Sequence, residues 1–130
     1  MVKRILISSL AIALFPALAF ADGSGEFVSK RYNIQGSWEI TEIEGQTAIR
    51  FSDDFKTKSG PDLKLFLSPA PVDEVTGRSV TDTARKIAVL ASNKGEQTYI
   101  LPDDVDLTEY QSLLIQCEAF SVLWGGFDIP

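Results

Sequence analysis

The sequence predicts an all-β domain: a β-sandwich or flattened β-barrel of about eight short, mostly antiparallel strands. Three observations carry that reading. Apolar residues come in short runs separated by turn signals, with no long amphipathic helix, heptad or internal repeat. Leu63, Leu65 and Leu67 alternate with Lys64 and Phe66, and Leu113, Ile115 and Cys117 alternate with Leu114, Gln116 and Glu118; this is the period of a strand with two distinct faces. The chain holds one Cys among its 130 residues, so no internal disulfide is available and a hydrophobic core must hold the fold.

The N-terminus has a different grammar. Lys3 and Arg4 precede an uncharged run from Ile5 to Phe20, then Ala19-Phe20-Ala21 and a polar stretch from Asp22 to Gly25. Positive, apolar, small-x-small, polar is the order of a cleavable secretory signal peptide, so residues 1–21 are expected to be removed after Ala21. A membrane anchor is the rival reading. The uncharged run falls short of the roughly 20 residues a span needs, and Pro16 interrupts it. No Cys follows the run to take a lipid. The mature chain is therefore expected in the periplasm or secreted, not membrane-anchored after cleavage, with residues 22–31 as its N-terminal segment. Loss of Lys3 and Arg4 makes it more acidic than the full chain's net −6. Such a surface repels nucleic acid and anionic lipid.

Along the mature chain, Asp22 to Gly25 reads as a frayed terminus and Glu26 to Ile34 as a first strand. Ser37 to Ile43 is a second, with Trp38 and Ile40 set against Glu39 and Thr41. Glu44-Gly45-Gln46 is a hairpin turn leading into Thr47 to Phe51. Asp53 to Ser59 is loop, and Gly60-Pro61-Asp62 a tight turn. Leu63 to Leu67 is a strand. Pro69, Pro71 and Gly77 make Ser68 to Thr83 a long surface loop. Arg85 to Ala91 and Gln97 to Leu101 are strands around a turn at Ser92 to Gly95. Asp103 to Leu107 is loop, with Asp106 placed to cap a single helical turn. Ser112 to Trp124 is strand, hinged near Glu118-Ala119, and Gly125-Gly126 turns into Phe127 to Pro130.

Several chemistries are excluded outright. With no His, there is no Ser-His-Asp triad, Cys-His pair or His-ligated zinc or haem within the chain. The only Met is Met1, which leaves with the signal, so a Met axial ligand is excluded too. Asp103, Asp104 and Asp106, like Asp53 and Asp54, lack the spacing of a calcium loop and read as solvated turn residues; no metal site is expected. Trp38, Phe55, Phe66, Tyr99, Tyr110, Phe120, Trp124 and Phe127 read as core rather than as a binding face for sugars or flat cofactors. Lys56, Lys58 and Lys64 form a local basic cluster that suits an anionic ligand or a partner's carboxylates. The remaining candidate is Cys117, on the core-facing side of its strand: a buried small hydrophobe, or a redox thiol or thiolate ligand.

Three ordered segments carry a resemblance. Phe55 with Gly60-Pro61-Asp62-Leu63-Lys64-Leu65-Phe66-Leu67, Gly95-Glu96-Gln97-Thr98-Tyr99-Ile100-Leu101-Pro102, and Tyr110-Gln111-Ser112-Leu113-Leu114-Ile115-Gln116-Cys117-Glu118-Ala119-Phe120 are similar, in order and separation, to the signature of the DM-thirteen domain family. The resemblance implies that residues 32–130 form a small extracytoplasmic β-rich domain of a kind that stands beside DOMON domains in animals and alone in bacteria. It further implies a role in electron transfer, with the family's cysteine, here Cys117, as a bare thiol or the attachment point of a prosthetic group. Gln116 departs from the pattern, where Trp precedes the Cys. A tightly held haem is not expected, for want of a second axial ligand, and the cofactor is otherwise unassigned. The expected function is thus an exported redox domain, not an enzyme in its own right, acting through the catalytic thiol Cys117 on a redox or other extracytoplasmic protein partner. The alternative is a non-catalytic binding or interaction module in which Cys117 only packs. A hydrolase built on paired carboxylates is a third reading, with no pair singled out.

Overall fold

Residues 23–130 are described by a computed structural model, and the signal-peptide reading lies outside them. The strands, in chain order, are β1 (Gly23–Glu26), β2 (Val28–Ser29), β3 (Ile34–Gln35), β4 (Ser37–Ile43), β5 (Gln46–Phe51), β6 (Lys56–Thr57), β7 (Leu63–Ser68), β8 (Arg85–Val89), β9 (Gln97–Ile100), β10 (Ser112–Cys117) and β11 (Val122–Asp128); one helix, α1 (Gly77–Thr83), precedes β8. β2, β3 and β6 have two residues each, which leaves eight strands of four or more, as the sequence predicts. One sheet runs β1-β4-β5-β9 and the other β2-β11-β10-β7-β8, with β3-β6 as a small ribbon; the named pairs are antiparallel and neither main sheet closes into a barrel.

The sheets pack as a sandwich. Trp38, Ile40, Ile49, Phe51 and Tyr99 face inward from the first, against Leu63, Leu65, Leu67, Leu113, Ile115 and Cys117 from the second. Trp38 stacks on Phe127 across the gap, with ring centroids 3.9 Å apart and planes 6° from parallel. The β4–β5 hairpin closes at Glu44 (φ 50°) and Gly45 (φ 81°), the left-handed pair that a two-residue turn matched to strand twist requires. Asp106 caps the 3-10 turn Leu107–Glu109 by accepting from the Thr108 N–H, as expected.

Three local readings are corrected. Asp22 to Gly25 is not frayed from Gly23 onward, because β1 pairs along β4. Its small residues carry no apolar alternation; Gly25 lies close under Trp38, where an added Cβ would sit 3.2 Å from the ring. Ser68 to Thr83 is not a surface loop. It holds a 3-10 turn (Val72–Glu74) and α1, started by a capping box in which Thr76 and Ser79 each bond the other's backbone N–H. Val72, Val75 and Val80 bury there against Phe66, Leu114 and Leu123 on the outer face of the second sheet. β7 and β10 are therefore covered on both faces. Their alternation records two cores rather than a core and a solvent side.

Gly125-Gly126, expected as a turn, lies inside β11. These glycines let neighbouring backbones close in. An added Cβ would come within 2.3 Å of the Val28 carbonyl oxygen at Gly125 and 2.1 Å of the Leu113 carbonyl oxygen at Gly126. Gly126→Ala should thus force β10 and β11 apart and cost about 2 kcal/mol or more. Urea unfolding reads this directly; an unchanged midpoint would show that the strands do not depend on that approach.

Candidate functional site

Cys117 ends β10. Its Cα stands opposite Leu63 on β7 and Val122 on β11, and strand parity turns its side chain inward with Leu113 and Ile115, the orientation expected from the alternation. The residue is 1% exposed and its thiol is free. Burial is thin along the chain, however. The next residues form a surface turn, Glu118 to Ser121, closed by Ser121 in the left-handed region (φ 52°); Phe120, expected in the core, is instead 68% exposed there, because β10 ends at Cys117 and Phe120 falls in the turn rather than on a strand face.

The Gly-Pro-Asp-Leu segment explains why that turn stays shut. The Asp62 carbonyl accepts from the Glu118 N–H at 3.0 Å. One Asp62 carboxylate oxygen accepts from the Ala119 N–H at 2.8 Å, and the other lies 2.9 Å from Lys64 Nζ. Lys64 also reaches Glu118 at 2.8 Å, and Lys86 meets the same carboxylate at 3.2 Å. Asp62 and Glu118 thus clamp both sides of the turn following the thiol. The hydrogen bond from Lys64 is the main cause holding each carboxyl below its ordinary range, and these two carboxylates raise the Lys64 ammonium above its own.

A depression of about 230 Å3 adjoins the clamp at Asp62, lined also by Gly60, Pro61, Leu63 and, from the β8 side, Val89 and Leu90. Its floor includes Leu63, the residue facing Cys117 across the strands.

The departure at Gln116 gains a geometric meaning. Gln116 is fully buried but points away from Cys117, toward the outer core; its Nε2 donates to the Gly77 carbonyl at 2.7 Å and its Oε1 finds no partner among the described residues. A side chain preceding Cys117 therefore belongs to the opposite face of the sheet. Trp124 belongs to the Cys117 face. The β10–β11 register slips between Ile115/Gly125 and Gln116/Leu123, so Trp124 is the extra residue of a bulge and enters the main core beside Gly125. Its Nε1 donates to the Lys58 carbonyl at 2.9 Å, and its ring lies where a Cβ on Gly60 would touch at 3.0 Å.

The Gly-x-Gln-x-Tyr segment supports the same end of the molecule. Gln97 and Tyr99 both face in; the Tyr99 hydroxyl donates to Gln97 Oε1 and accepts from the Ala91 N–H, while Gln97 Nε2 donates to the carbonyls of Ser92 and Gly95. The β8–β9 connection is pinned by two side chains, and burial raises the Tyr99 phenol above its usual value.

The acidic candidates disperse. Asp104 pairs with Arg85, Asp106 caps its turn and Asp103 accepts from Gln46. The basic cluster divides: Lys64 is bound into the clamp, while Lys56 and Lys58 stay exposed on β6 and just beyond it. Sequence reasoning missed the roles of Asp62, Gln97 and Tyr99, whose only signal was their presence in the ordered motifs.

The chain matches the model of the family described as Electron transfer DM13 over residues 26–129. No curated protein and no solved structure matches it.

The clamp should give stability a pH signature. With folded-state values lowered, the Asp62 and Glu118 contribution is full above the ordinary carboxylate range and is lost as pH falls through those lowered values. The melting temperature should therefore drop as pH is lowered from about 5 to about 2, and drop less steeply in an Asp62→Asn, Glu118→Gln double variant. Equal slopes in both proteins would remove the clamp from the balance.

Proposed function

The chain belongs to the Electron transfer DM13 family, and from that premise we propose that it works outside the cytoplasm as an electron-transfer domain whose redox-active group is Cys117. One observation supports the assignment above the rest: the chain's sole thiol ends the strand on which two of the family-like segments converge, directly before a surface turn that those segments clamp. Export is supported by the order of Lys3-Arg4, the apolar run and Ala19-Phe20-Ala21.

With one thiol, exchange must be intermolecular. The Cys117 thiolate attacks a partner's disulfide; a sulfur–sulfur bond forms to Cys117, the partner's own breaks, and the electron pair leaves on the released thiolate. An external thiol then resolves the mixed disulfide. Because the residue is 1% exposed, this requires the Glu118–Ser121 turn to open, and Asp62 sets how often it does. The same burial favours the second reading, a non-catalytic extracytoplasmic module in which Cys117 fills the core between the sheets.

Purified exported protein separates the two. In the redox reading Cys117 reacts with a thiol reagent under native conditions, faster in Asp62→Ala at matched pH, or a visible chromophore is present and vanishes in Cys117→Ser. A colourless protein labelled only after denaturation leaves packing as the role of Cys117. N-terminal sequencing should begin at Asp22; retention of Met1 to Ala21 would defeat the export proposal.

A further inference from the structure

The face around Tyr32 is chemically unlike the rest of this acidic chain. Lys30, Arg50, Lys64, Arg85 and Lys86 are each tied to carboxylates. Among the described residues, five cations have no carboxylate within ion-pair distance: Arg78 stands apart on α1, and the other four, Arg31, Lys56, Lys58 and Lys94, are all exposed. They also share one place. Lys58 Nζ lies 4.7 Å from the centre of the Tyr32 ring and Arg31 Cζ 5.5 Å from it. Lys56 and Lys58 line a depression of about 370 Å3 with Tyr32, Asn33 and Gln35, and Lys94 is bridged to Lys56.

The floor is rigid. Tyr32 packs on Trp124 at 4.4 Å between centroids, Trp124 holds the Lys58 carbonyl, and Thr57 is bonded to the backbones of Asn33 and Asn93. A contact between a cation and an aromatic face restrains the cation without cancelling its charge, as a carboxylate would. Lys58 and Arg31 therefore present positive charge from restrained positions.

We propose that this face is a docking surface for a short acidic segment of a partner protein, whose carboxylates engage Lys56, Lys58, Arg31 and Lys94 while its chain lies across Tyr32. Charge complementarity selects carboxylates, and geometry selects a short stretch of them. Asp54, whose carbonyl accepts from Gln35, and Asp73, paired with Lys30, stand beside the region on a chain of net −6, so a long polyanion running past the patch meets like charge. The proposal holds whether Cys117 reacts or only packs.

Titrating a hexaglutamate peptide into the isotopically labelled protein, with amide shifts as readout, tests it. At low salt, saturable shifts should centre on residues 31–35, 56–58 and 94 and weaken on going to about 150 mM salt. Lys56→Glu with Lys58→Glu, whose unperturbed spectrum elsewhere certifies folding, should weaken binding at least about tenfold. Arg78→Glu, at an unpaired cation on α1, should leave it unchanged. No saturable shift, shifts centred elsewhere or an equal loss in Arg78→Glu would overturn the proposal. So would tighter binding of a heparin oligosaccharide than of the peptide, which would make the occupant a polysaccharide. Concentration-dependent self-association abolished by the lysine substitutions would instead make it a second copy of the chain.

Discussion

Everything on the second sheet follows from one register, the antiparallel pairing of β7 with β10 from Ser68 opposite Ser112 to Leu63 opposite Cys117. A shift of β10 by one residue would turn Cys117, Ile115 and Leu113 out of the sandwich and drive Gln116 and Leu114 into it. The pairing is fixed from both sides: Leu63, Leu65 and Leu67 have no alternative to the main core, and Phe66 and Leu114 need the valines that arrive with α1. Asp62 extends that register beyond the last strand pair, so the geometry of the turn after Cys117 is inherited from the sheet rather than chosen locally.

The local features were legible and the long-range ones were not. The faces of Leu63–Leu67 and Ser112–Cys117, the Glu44-Gly45 hairpin and the Asp106 cap rest on neighbouring residues, and strand period or turn chemistry suffices to find them. α1 was hidden because seven residues starting with Gly carry almost no helical period, and its capping box supports a helix only once Val80 has somewhere to bury. β1 was hidden because its residues contribute backbone bonds and small size, not apolar side chains. At the candidate site the direction of Cys117 was readable. The hold of Asp62 on Ala119 was not, since it spans 57 residues of sequence.

The bulge at Trp124 joins two regions that otherwise have separate logic. It brings the indole into the core on the Cys117 face, while the indole N–H secures Lys58 and the ring supports Tyr32. The thiol end of the second sheet and the basic face thus share one aromatic side chain as structural support. The Gln116 departure from the family-like pattern stays isolated from both, under the first turn of α1.

An unclosed sandwich leaves its outermost strands with unpaired backbone groups, and β8 is one of them. A free strand margin is a template on which another chain can add itself, the first step toward fibrous aggregation. β8 begins Arg85-Lys86, cationic residues held in place by Asp104 and Glu118, and charge at a margin discourages such addition. Protection fades toward Val89, which is 65% exposed at the far end of the strand. The ion pairs on β8 therefore also bear on colloidal stability, because they place charge along the open edge of an acidic domain.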